Sequence, residues 1–498
     1  MNYNINTPMN SNNPIHSKDN SFWQSLFAAD SIAVIGAKAA AGTWGNDAIR
    51  AAIESAKNKA DRQIYAVNPN EAEVLGVKSY KSILDIPGPV ELAIIVVPAP
   101  VVPQVFRQCA DKKVKVAVII SAGFAEVDAN GARLQAEVKA IAQASGMRFV
   151  GPNCNGHADF YSRVFSVGFA DRIPAGPMAL LSQSGTLSIS IMQNAAGRGI
   201  GLSKFVSTGN EADLRLEDFL EYLGQDKDTH IIAAYIEGLR EGRRFFNLAR
   251  EITKRKPIVV IKSGTTQASA KAARSHTGAL AGSDAIYTAA FKQAGVIRVE
   301  DEEELADTAL ALYRLPLPKG NRVGILTIGG GFGVVTAEDC EKEGLELASL
   351  EPQTLQKMSA ILPSRWVPGN PVDLVGIRLA GGDNVGDTCM QLLLEDKNVD
   401  AIISLLPPMF VPPSMTGEIK PEQIRAMQQE VEKSQAKLYQ QLKEHDKPLV
   451  YIRRMAIPSP PGTNNPIKVI IPEYSHPRRA ARVLRYLAGY RRYLENVK

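Results

Sequence analysis

Short apolar runs alternate with longer amphipathic segments along most of the chain, beginning near Ser31. The runs are rich in Val and Ile, as in strands buried on both faces of a sheet, and the segments between them have helical length. The runs occupy residues 31–36, 63–68, 91–98, 115–121 and 148–151, then 178–182, 203–208, 231–237, 257–261 and 296–299, and finally 322–328, 401–406, 448–452 and 468–471. This alternation predicts parallel sheets covered by helices on both faces.

Two interruptions divide the runs into three groups. Glycine and proline recur and the periodicity stops between residues 151 and 176, and the proline-rich stretch Leu315–Asn321 precedes the third group. We therefore expect an α/β protein with three successive doubly wound domains. The predicted boundaries are 21–150 for the first domain, 151–176 for a connection, 177–315 for the second domain and 316–498 for the third.

Composition narrows the classes of partner and compartment. The 498 residues carry a net charge of only +5, spread along the chain, which argues against a nucleic-acid partner. No window approaches the roughly 18 to 20 apolar residues of a membrane helix, and the N-terminus lacks a signal-peptide pattern. We expect a cytoplasmic protein without membrane association. Residues 1–20, rich in Asn, Ser and Pro, are predicted to be a disordered tail.

The cysteines indicate the redox environment. Cys109, Cys154, Cys340 and Cys389 show no paired spacing. Such scattered cysteines are typical of a reducing compartment and predict neither a disulfide framework nor a zinc cluster. No metal site is predicted in this chain.

The turn after the first apolar run is the first candidate binding site. In open parallel sheets, ligands bind beyond the carboxyl ends of the strands. Gly36, Ala37 and Lys38 lie at this place, and the amides of residues 42–45 at the next helix start suit a phosphate. The favoured ligand is phosphorylated and has no redox ring. The alternative is a tight strand–helix turn that binds nothing.

The following strand ends are predicted to close the same crevice. They contribute Asn68, Pro69, Val97, Pro98, Ser121 and Gly123. Asn68-Pro69 stands where a nicotinamide-binding domain would need an acid for the ribose, and the first turn lacks G-x-G-x-x-G spacing. A redox dinucleotide is therefore disfavoured. Pro98 lacks an amide hydrogen and stiffens the rim, which suits an adenine.

A second candidate site opens the second group. Ser184, Gly185 and Thr186 follow its first apolar run and begin a helix. Small residues at a helix start expose amide hydrogens, and the helix dipole favours an anion there by roughly 0.3 to 1 kcal/mol. This predicts a phosphate site, although serines are also ordinary helix caps.

Residues 262–282 form a Gly-, Ser- and Ala-rich stretch that holds His276. The 14 residues from Lys262 to His276 could reach at most roughly 50 Å, which predicts a mobile loop. Glu237 ends the preceding apolar run at the same sheet edge. A carboxylate can orient a nucleophilic imidazole, so we predict that His276 carries a phosphoryl group. His157, the second candidate, is interpreted as a structural or rim residue.

Ten ordered motifs resemble the α subunit of ADP-forming (NDP-forming) acyl-CoA synthetases, in the succinyl-CoA synthetase superfamily. They lie at residues 31–37, 65–69, 96–99, 120–124, 151–156, 182–187, 207–213, 236–238, 275–282 and 370–374. The resemblance runs from about residue 22 to the C-terminus. It implies a Rossmann-like CoA-binding domain followed by two flavodoxin-like CoA-ligase domains.

The resemblance also implies residue roles. His276 would be the phosphorylated histidine and Glu237 its orienting acid, with residues 184–186 at the start of the phosphate-binding helix. Asn153 and Cys154 would lie near the CoA thiol and the acyl group. Family members commonly have a serine where this chain has Lys38.

The same resemblance implies a partner. The family needs an ATP-grasp domain for ATP or ADP and Mg²⁺, and no unassigned stretch of domain size remains in this chain. We therefore expect a separate ATP-grasp β subunit in a hetero-oligomer, acting on a small carboxylic acid, CoA and phosphate.

Two alternatives stay open on sequence grounds. A regulatory or scaffold protein derived from this family would bind CoA without being phosphorylated. Residues 329–333, Gly-Gly-Gly-Phe-Gly, are either another nucleotide site or a plain strand–helix turn.

Overall fold

The computed structural model describes residues 21–57, 59–266, 268–269, 283–374, 385–406, 421–452 and 471–497. The chain divides into two compact units, the first ending at Ala306 and the second beginning at Asp307. Within the described ranges, no helix combines the length and apolar character needed to cross a membrane. His276 and the tail at 1–20 lie outside these residues, as do residues 468–470 of the strand predicted at 468–471.

The first sheet has the strand order β3-β4-β2-β1-β5-β6-β7. Its strands are β1 (Ser31–Ile35), β2 (Gln63–Val67), β3 (Glu73–Val74), β4 (Val77–Tyr80), β5 (Leu92–Ile95), β6 (Val116–Ile119) and β7 (Arg148–Val150). Neighbours are parallel except β3 with β4. From β4 to β7 this is the Rossmann-like order, whose winding reverses between β1 and β5. Every residue of β1, β5 and β6 is buried, which explains their unbroken apolar pattern.

Helices precede and connect these strands. They are α1 (Ser21–Phe27), α2 (Trp44–Ala56), α3 (Val102–Asp111) and α4 (Ala129–Ser145). Thr43 caps α2 by accepting a hydrogen bond from the Asn46 amide, and Asp128 caps α4 in the same way. Gly146 ends α4 with a positive φ of 76°, a conformation that favours glycine.

The second sheet also belongs to the first unit and has the order β14-β13-β12-β10-β11-β8-β9. Its strands are β8 (His157–Asp159), β9 (Val164–Phe165), β10 (Ala175–Ser182), β11 (Leu202–Ser207), β12 (Ile231–Ile236), β13 (Ile258–Lys262) and β14 (Ile297–Val299). From β10 to β14 the pairs are parallel, in the flavodoxin-like order. The winding reverses between β10 and β12.

The segment predicted to be a connection contains regular structure. β8 and β9 form an antiparallel hairpin, and β8 pairs antiparallel with β11 at the sheet edge. β10 begins at Ala175, before the predicted start at residue 178. Strands of two or three residues are too short to show a period, so the sequence pattern missed the hairpin.

The helices of this part are amphipathic segments between the strands. They are α5 (Gly185–Gly197), α6 (Leu216–Gln225), α7 (Gly242–Ile252), α8 (Asp284–Gln293) and α9 (Glu302–Arg314).

The second unit contains a parallel sheet in the order β16-β15-β18-β19-β20, with β17 also paired to β15. Its elements are β15 (Arg322–Thr327), α10 (Gly330–Lys342), β16 (Glu346–Leu347), α11 (Pro352–Ile361), β17 (Val372–Asp373), α12 (Val385–Glu395), β18 (Ala401–Ser404), α13 (Pro421–His445), β19 (Leu449–Ile452), β20 (Glu473–Tyr474) and α14 (Pro477–Asn496). The predicted fold class, three successive doubly wound sheets, is confirmed.

Candidate functional site

One cavity of about 540 Å³ lies in the first unit, where strand ends of the first and second sheets meet. Ten of the residues predicted from the sequence line it: Gly36, Lys38, Val97, Pro98, Ser121, Asn153, Cys154, Ser184, Gly185 and Thr186. Both switch points, the one beside β1 and the one beside β10, therefore open onto the same space.

The turn after β1 approaches its neighbours so closely that only glycine fits. Gly36 has a φ of 92°, and a Cβ there would lie 2.7 Å from the Val96 carbonyl oxygen. A Cβ on Gly45 would lie 2.2 Å from the Gly36 carbonyl oxygen. The start of α2 is thus pressed against the turn, and the backbone itself forms this wall of the cavity.

Two buried asparagines donate hydrogen bonds to the carbonyls of this turn. Asn46 Nδ2 donates to the carbonyls of Lys38 and Ala39, at 3.1 and 2.9 Å. Asn68 Nδ2 donates to the Ala37 carbonyl at 2.8 Å. Because its amide is used here, Asn68 supports the turn instead of lining the cavity.

The start of α5 forms the opposite wall. Ser184 caps the helix by accepting a hydrogen bond from the Leu187 amide at 3.3 Å. The amides of Gly185 and Thr186, in the first turn, have no carbonyl within their own helix to bond. A Cβ on Gly185 would lie 2.6 Å from Asn155 Cγ, so glycine lets the 151–156 segment pack against the helix start. This geometry suits an anion.

The segment 151–156 lies between the two walls. The Asn153 amide donates to the Ser121 carbonyl at 2.9 Å, and Cys154 Sγ lies 3.4 Å from the Ile119 carbonyl oxygen. Burial raises the pKa of the Cys154 thiol to about 12, although a backbone hydrogen bond at Gly156 opposes this. The thiol therefore stays protonated near neutral pH and is not a nucleophile there.

The loop after β11 ties the second sheet to this segment. The Asn210 amide donates to the Pro152 carbonyl at 2.9 Å, and a Cβ on Gly209 would lie 2.3 Å from that same oxygen. Asn210 Nδ2 also donates to Glu126 and Gln135 of the first domain, at 2.5 and 2.9 Å. The cavity is thus built jointly by the two sheets of the first unit.

Gln183 forms hydrogen bonds with the chain segments that follow β11 and β12. Its Oε1 accepts the amides of Glu237 and Gly238, at 2.6 and 3.1 Å, and its Nε2 donates to Glu211 Oε1 at 3.0 Å. Thr208 Oγ1 donates to the same Glu211 oxygen at 2.9 Å. One side chain therefore joins three strand ends of the second sheet.

Glu211 is a buried acid in this network. Burial raises its pKa to about 7, and the nearby Glu217 carboxylate adds to the shift, whereas hydrogen bonds from Gln183 and Thr208 and the charge of Arg240 oppose it. Glu211 therefore exchanges its proton near neutral pH, unlike an exposed glutamate.

The remaining predicted residues do not line the cavity. Ala37 is buried beneath the turn, and Pro69 is exposed at the end of β2. Gly123 has a φ of 106° and donates its amide to Glu126 at 2.6 Å. Glu237 is buried, 8% exposed, at the end of β12. His276 lies outside the described residues, so its proposed role stays a prediction.

Sequence reasoning missed residues that the structure places on the cavity wall. They include Trp44, Asn155, Gln183 and Asn210. Each lies within or next to a motif that the sequence singled out, but strand-end position does not reveal which neighbouring side chain turns towards the cavity.

His157 and the turn at 329–333 have clear structural roles. His157 is fully buried, with Nε2 2.7 Å from the Leu26 carbonyl oxygen, and burial lowers its pKa to about 4. The imidazole is therefore neutral and structural. Gly329 precedes α10, and its amide donates to Thr327 Oγ1 at 3.2 Å, as in a braced strand–helix turn. The nucleotide alternative at this turn stays a prediction.

The described residues also contain no group of three or more His, Cys, Asp or Glu side chains that could hold a metal ion.

Family models define the class of protein. Residues 30–158 match the model described as a CoA binding domain, residues 175–312 match a succinyl-CoA ligase like flavodoxin domain, and residues 323–484 match a ligase-CoA domain. Together they define a CoA ligase subunit, and the shared cavity lies between the first two of these domains.

Similar proteins narrow the class to a family. The chain is 43% identical, over 383 residues, to the α subunit of acetate–CoA ligase [ADP-forming] II from Pyrococcus furiosus, covering 76% of this chain and 81% of the relative. It is 42% identical over 384 residues to acetate–CoA ligase [ADP-forming] I from Archaeoglobus fulgidus, covering 77% of this chain but only 54% of that relative, about half its length.

A solved structure shows the same fold. The dinucleotide forming acetyl-coenzyme A synthetase 1 of Ca. Korarchaeum cryptofilum, in complex with phosphate and ADP, superposes with a TM-score of 0.78 at 30% identity. The match covers 95% of this chain and 98% of that one. The chain belongs to the family of ADP-forming acyl-CoA synthetase α subunits, in the succinyl-CoA synthetase superfamily.

Proposed function

We propose that this chain is the acyl-transferring subunit of an ADP-forming acyl-CoA synthetase that uses acetate or another small carboxylic acid. The reaction runs in three steps. Acyl-CoA and phosphate exchange to give an acyl phosphate and CoA, a histidine takes the phosphoryl group and releases the acid, and ADP takes the phosphoryl group to give ATP. Each step is reversible, so the same site can form the thioester from the acid, CoA and ATP.

The cavity between the two sheets supports the first step. CoA would bind along the turn after β1 and the ends of β5 and β6, with Gly36, Lys38 and Pro98 in contact with it. The thiol would lie near Asn153 and Cys154, beside the start of α5. Since the Cys154 thiol stays protonated, it would contact the CoA thiol without competing with it as a nucleophile.

The start of α5 supports the phosphoryl transfers. Phosphate and the phosphoryl group of the acyl phosphate carry negative charge. The first-turn amides of Gly185 and Thr186 would donate hydrogen bonds to them. Catalysis of phosphoryl transfer depends chiefly on positioning and charge stabilisation, which fixed backbone amides provide. We assign His276 as the phosphorylated residue and Glu237 as the acid that orients it.

We further propose that the third step takes place on a separate ATP-grasp β subunit, which would bind ADP or ATP with Mg²⁺. The shared cavity, which has residues of the turn after β1 and the start of α5 in its lining, is the observation on which the proposal depends most.

Labelling of the chain tests this function. The chain is co-expressed with an ATP-grasp subunit, incubated with γ-labelled ATP, and assayed for CoA-dependent thioester formation with acetate and a panel of other acids. We expect acid-labile label at His276, and His276→Asn should lower turnover by roughly a thousandfold or more because it removes the nucleophile.

The outcomes separate the alternatives. CoA binding with no label and no thioester for any acid would favour the regulatory protein instead. Label at another residue, or a His276→Asn variant with undiminished turnover, would refute the assignment of His276.

A further inference from the structure

The backbone turn that carries Glu237 is held by side chains from other elements. Gln183 Oε1 accepts the amides of Glu237 and Gly238, and Gln183 Nε2 donates to the Gly238 carbonyl at 2.8 Å. A single amide side chain thus satisfies three backbone groups of the turn.

Lys262 and Tyr287 hold the remaining groups. Lys262 Nζ, at the end of β13, donates to the Glu237 carbonyl at 2.8 Å and also to the Ser263 carbonyl. The Leu239 amide donates to the Tyr287 hydroxyl, on α8, at 3.2 Å. Every backbone polar group from the Glu237 amide to the Leu239 amide therefore has a side-chain partner.

Lys262 is the charged member of this set and is only 7% exposed. In the described part of the chain, its ammonium is held by two carbonyls and by the Tyr287 ring, whose centroid is 4.4 Å away, and not by a carboxylate. Burial lowers the pKa of Lys262 and the charge of Arg298 adds to this effect, whereas the charges of Asp284 and Glu237 oppose it. Burying a cation costs free energy, so a buried lysine at this position indicates a structural or functional role.

The role is to hold neighbouring elements of the fold in place. Lys262 bridges the ends of β12 and β13, and its ring contact reaches α8. Charge-assisted hydrogen bonds are stronger than neutral ones, so the ammonium restrains the Glu237 backbone more firmly than a neutral donor would. The Glu237 carboxylate lies close enough to Tyr235 for its charge to contribute to the raised pKa of that phenol, after the larger effect of burial.

We propose that Lys262 is a positioning residue for phosphoryl transfer, which fixes the Glu237 turn so that the Glu237 carboxylate keeps one orientation. This inference rests on the proposed function, in which that carboxylate orients the phosphorylated histidine. Lys262 acts through Glu237 and does not itself contact the phosphoryl group.

Lys256 provides a matched control. It precedes β13, at the opposite edge of the same sheet, and its Nζ donates to the carbonyls of Leu223 at 3.0 Å and Asp226 at 2.5 Å. Burial lowers the pKa of Lys256 to about 8. Each lysine donates to two backbone carbonyls and has a pKa lowered by burial, although Lys256 is only half-buried; of the two, Lys262 is the one bonded to the turn of Glu237.

A double-mutant cycle tests the proposal. Lys262→Met, Glu237→Gln, the double variant and Lys256→Met are each prepared in the full chain with its partner subunit, and kcat, the KM for CoA and Tm are measured. We expect Lys262→Met to lower kcat about 10- to 100-fold with the KM for CoA changed less than about twofold. In the Glu237→Gln background, Lys262→Met should lower kcat less than about threefold, because the carboxylate through which Lys262 acts is already absent.

Lys256→Met is expected to lower Tm about as much as Lys262→Met does, and to change kcat less than about twofold. If Lys262→Met does not fold, Lys262→Gln, which keeps one hydrogen-bond donor, is measured in its place and should show the same coupling. The proposal would be overturned if Lys262→Met lowered kcat by the same factor in the wild-type and Glu237→Gln chains. It would also be overturned if Lys262→Met lowered kcat no more than Lys256→Met does.

The labelling experiment keeps the two proposals apart. A wild-type chain that forms thioester without acid-labile phosphate would refute the phosphohistidine route. The coupling of Lys262 to Glu237 is judged on net thioester formation and is accepted or rejected independently of that label.

Discussion

Glu211 shows how burial changes the chemistry of a single residue. It has a positive φ of 53°, unusual for a residue other than glycine, and its side chain is 4% exposed. Two hydrogen bonds, from Gln183 and Thr208, reach its Oε1. The strained backbone is tolerated because it places the carboxyl group at the junction of three strand ends.

The raised pKa of Glu211 predicts a pH dependence of stability. The carboxyl group loses its proton near pH 4.5 in the unfolded chain but near pH 7 in the folded one. Between these values the folded state binds more protons, so stability falls as the pH rises from about 4.5 to about 7 and is flat above it. The loss is on the order of 3 kcal/mol at most.

We therefore expect Glu211→Gln to remove this loss of stability between about pH 4.5 and pH 7, because the amide oxygen can still accept both hydrogen bonds. Tm measured from pH 5 to pH 8.5 checks this. Glu343→Gln is the control: burial raises the pKa of Glu343, but hydrogen bonds from Arg482 and Arg478 lower it overall. The stability from Glu343 is lost on acidification instead. A Glu211→Gln variant whose Tm still falls between pH 5 and pH 7 as steeply as that of the wild type would contradict the assignment.

At the scale of elements, the turn between β1 and α2 determines the shape of the cavity on the side of the first sheet. Gly36 combines a positive φ with a close contact to the Val96 carbonyl, whereas Gly42, in the same turn, has a positive φ of 77° and open space around it. Alanine substitutions at the two glycines therefore distinguish the effect of the positive φ from the effect of the close contact with Val96.

Gly36→Ala should destabilise the protein by roughly 1 to 3 kcal/mol and weaken CoA binding about tenfold, since the turn must move away from β5. Gly42→Ala should cost about 1 kcal/mol and leave CoA affinity within about twofold. Calorimetric titration of CoA into each variant measures the affinities. Equal affinities of the two variants for CoA would show that the close contact at Gly36 does not shape the site.

At the scale of the whole molecule, the first unit depends on bonds between its two sheets. Arg148, in β7, forms a bidentate ion pair with Asp213, with Nε 2.8 Å from Oδ2. Asp213 also accepts the Phe149 amide at 2.9 Å. Both side chains are about three-quarters buried. The loop that carries Asp213 also carries the cavity residue Asn210, so this junction supports the site.

Asp213→Ala should destabilise the first unit by roughly 2 to 4 kcal/mol, because it leaves the Arg148 guanidinium and a backbone amide without their acceptor. Amide hydrogen exchange in β7 and β11 measures this locally. Glu137→Ala, which removes the exposed ion pair with Arg107, should cost less than about 1 kcal/mol. Unchanged protection of β7 in Asp213→Ala would mean that the ion pair does not join the sheets.

Much of the fold could be predicted from the sequence because parallel strands are buried on both faces. β1, β5, β6 and β13 are therefore continuous apolar runs whose limits are visible without a structure. The hairpin of β8 and β9 could not be predicted, since its pairing with β11 involves residues distant in the chain.

The candidate site was predicted in part by the same logic. Strand-end position identified the turn at Gly36 and the helix start at Ser184, which do line the cavity. It placed Asn68 there as well, although the Asn68 amide is turned towards the Ala37 carbonyl. Side-chain direction depends on the partners available after packing, which no local pattern records.

The sequence by itself determined the α/β class, the succession of three sheets and the edge at which polar residues gather, because these follow from local periodicity and chain direction. Only the tertiary structure decided that two sheets share one cavity, that Gln183 and Lys262 hold the Glu237 turn, and that Glu211 titrates near neutral pH. Those properties arise from desolvation and from contacts between segments far apart in the chain, and both exist only once the chain is packed.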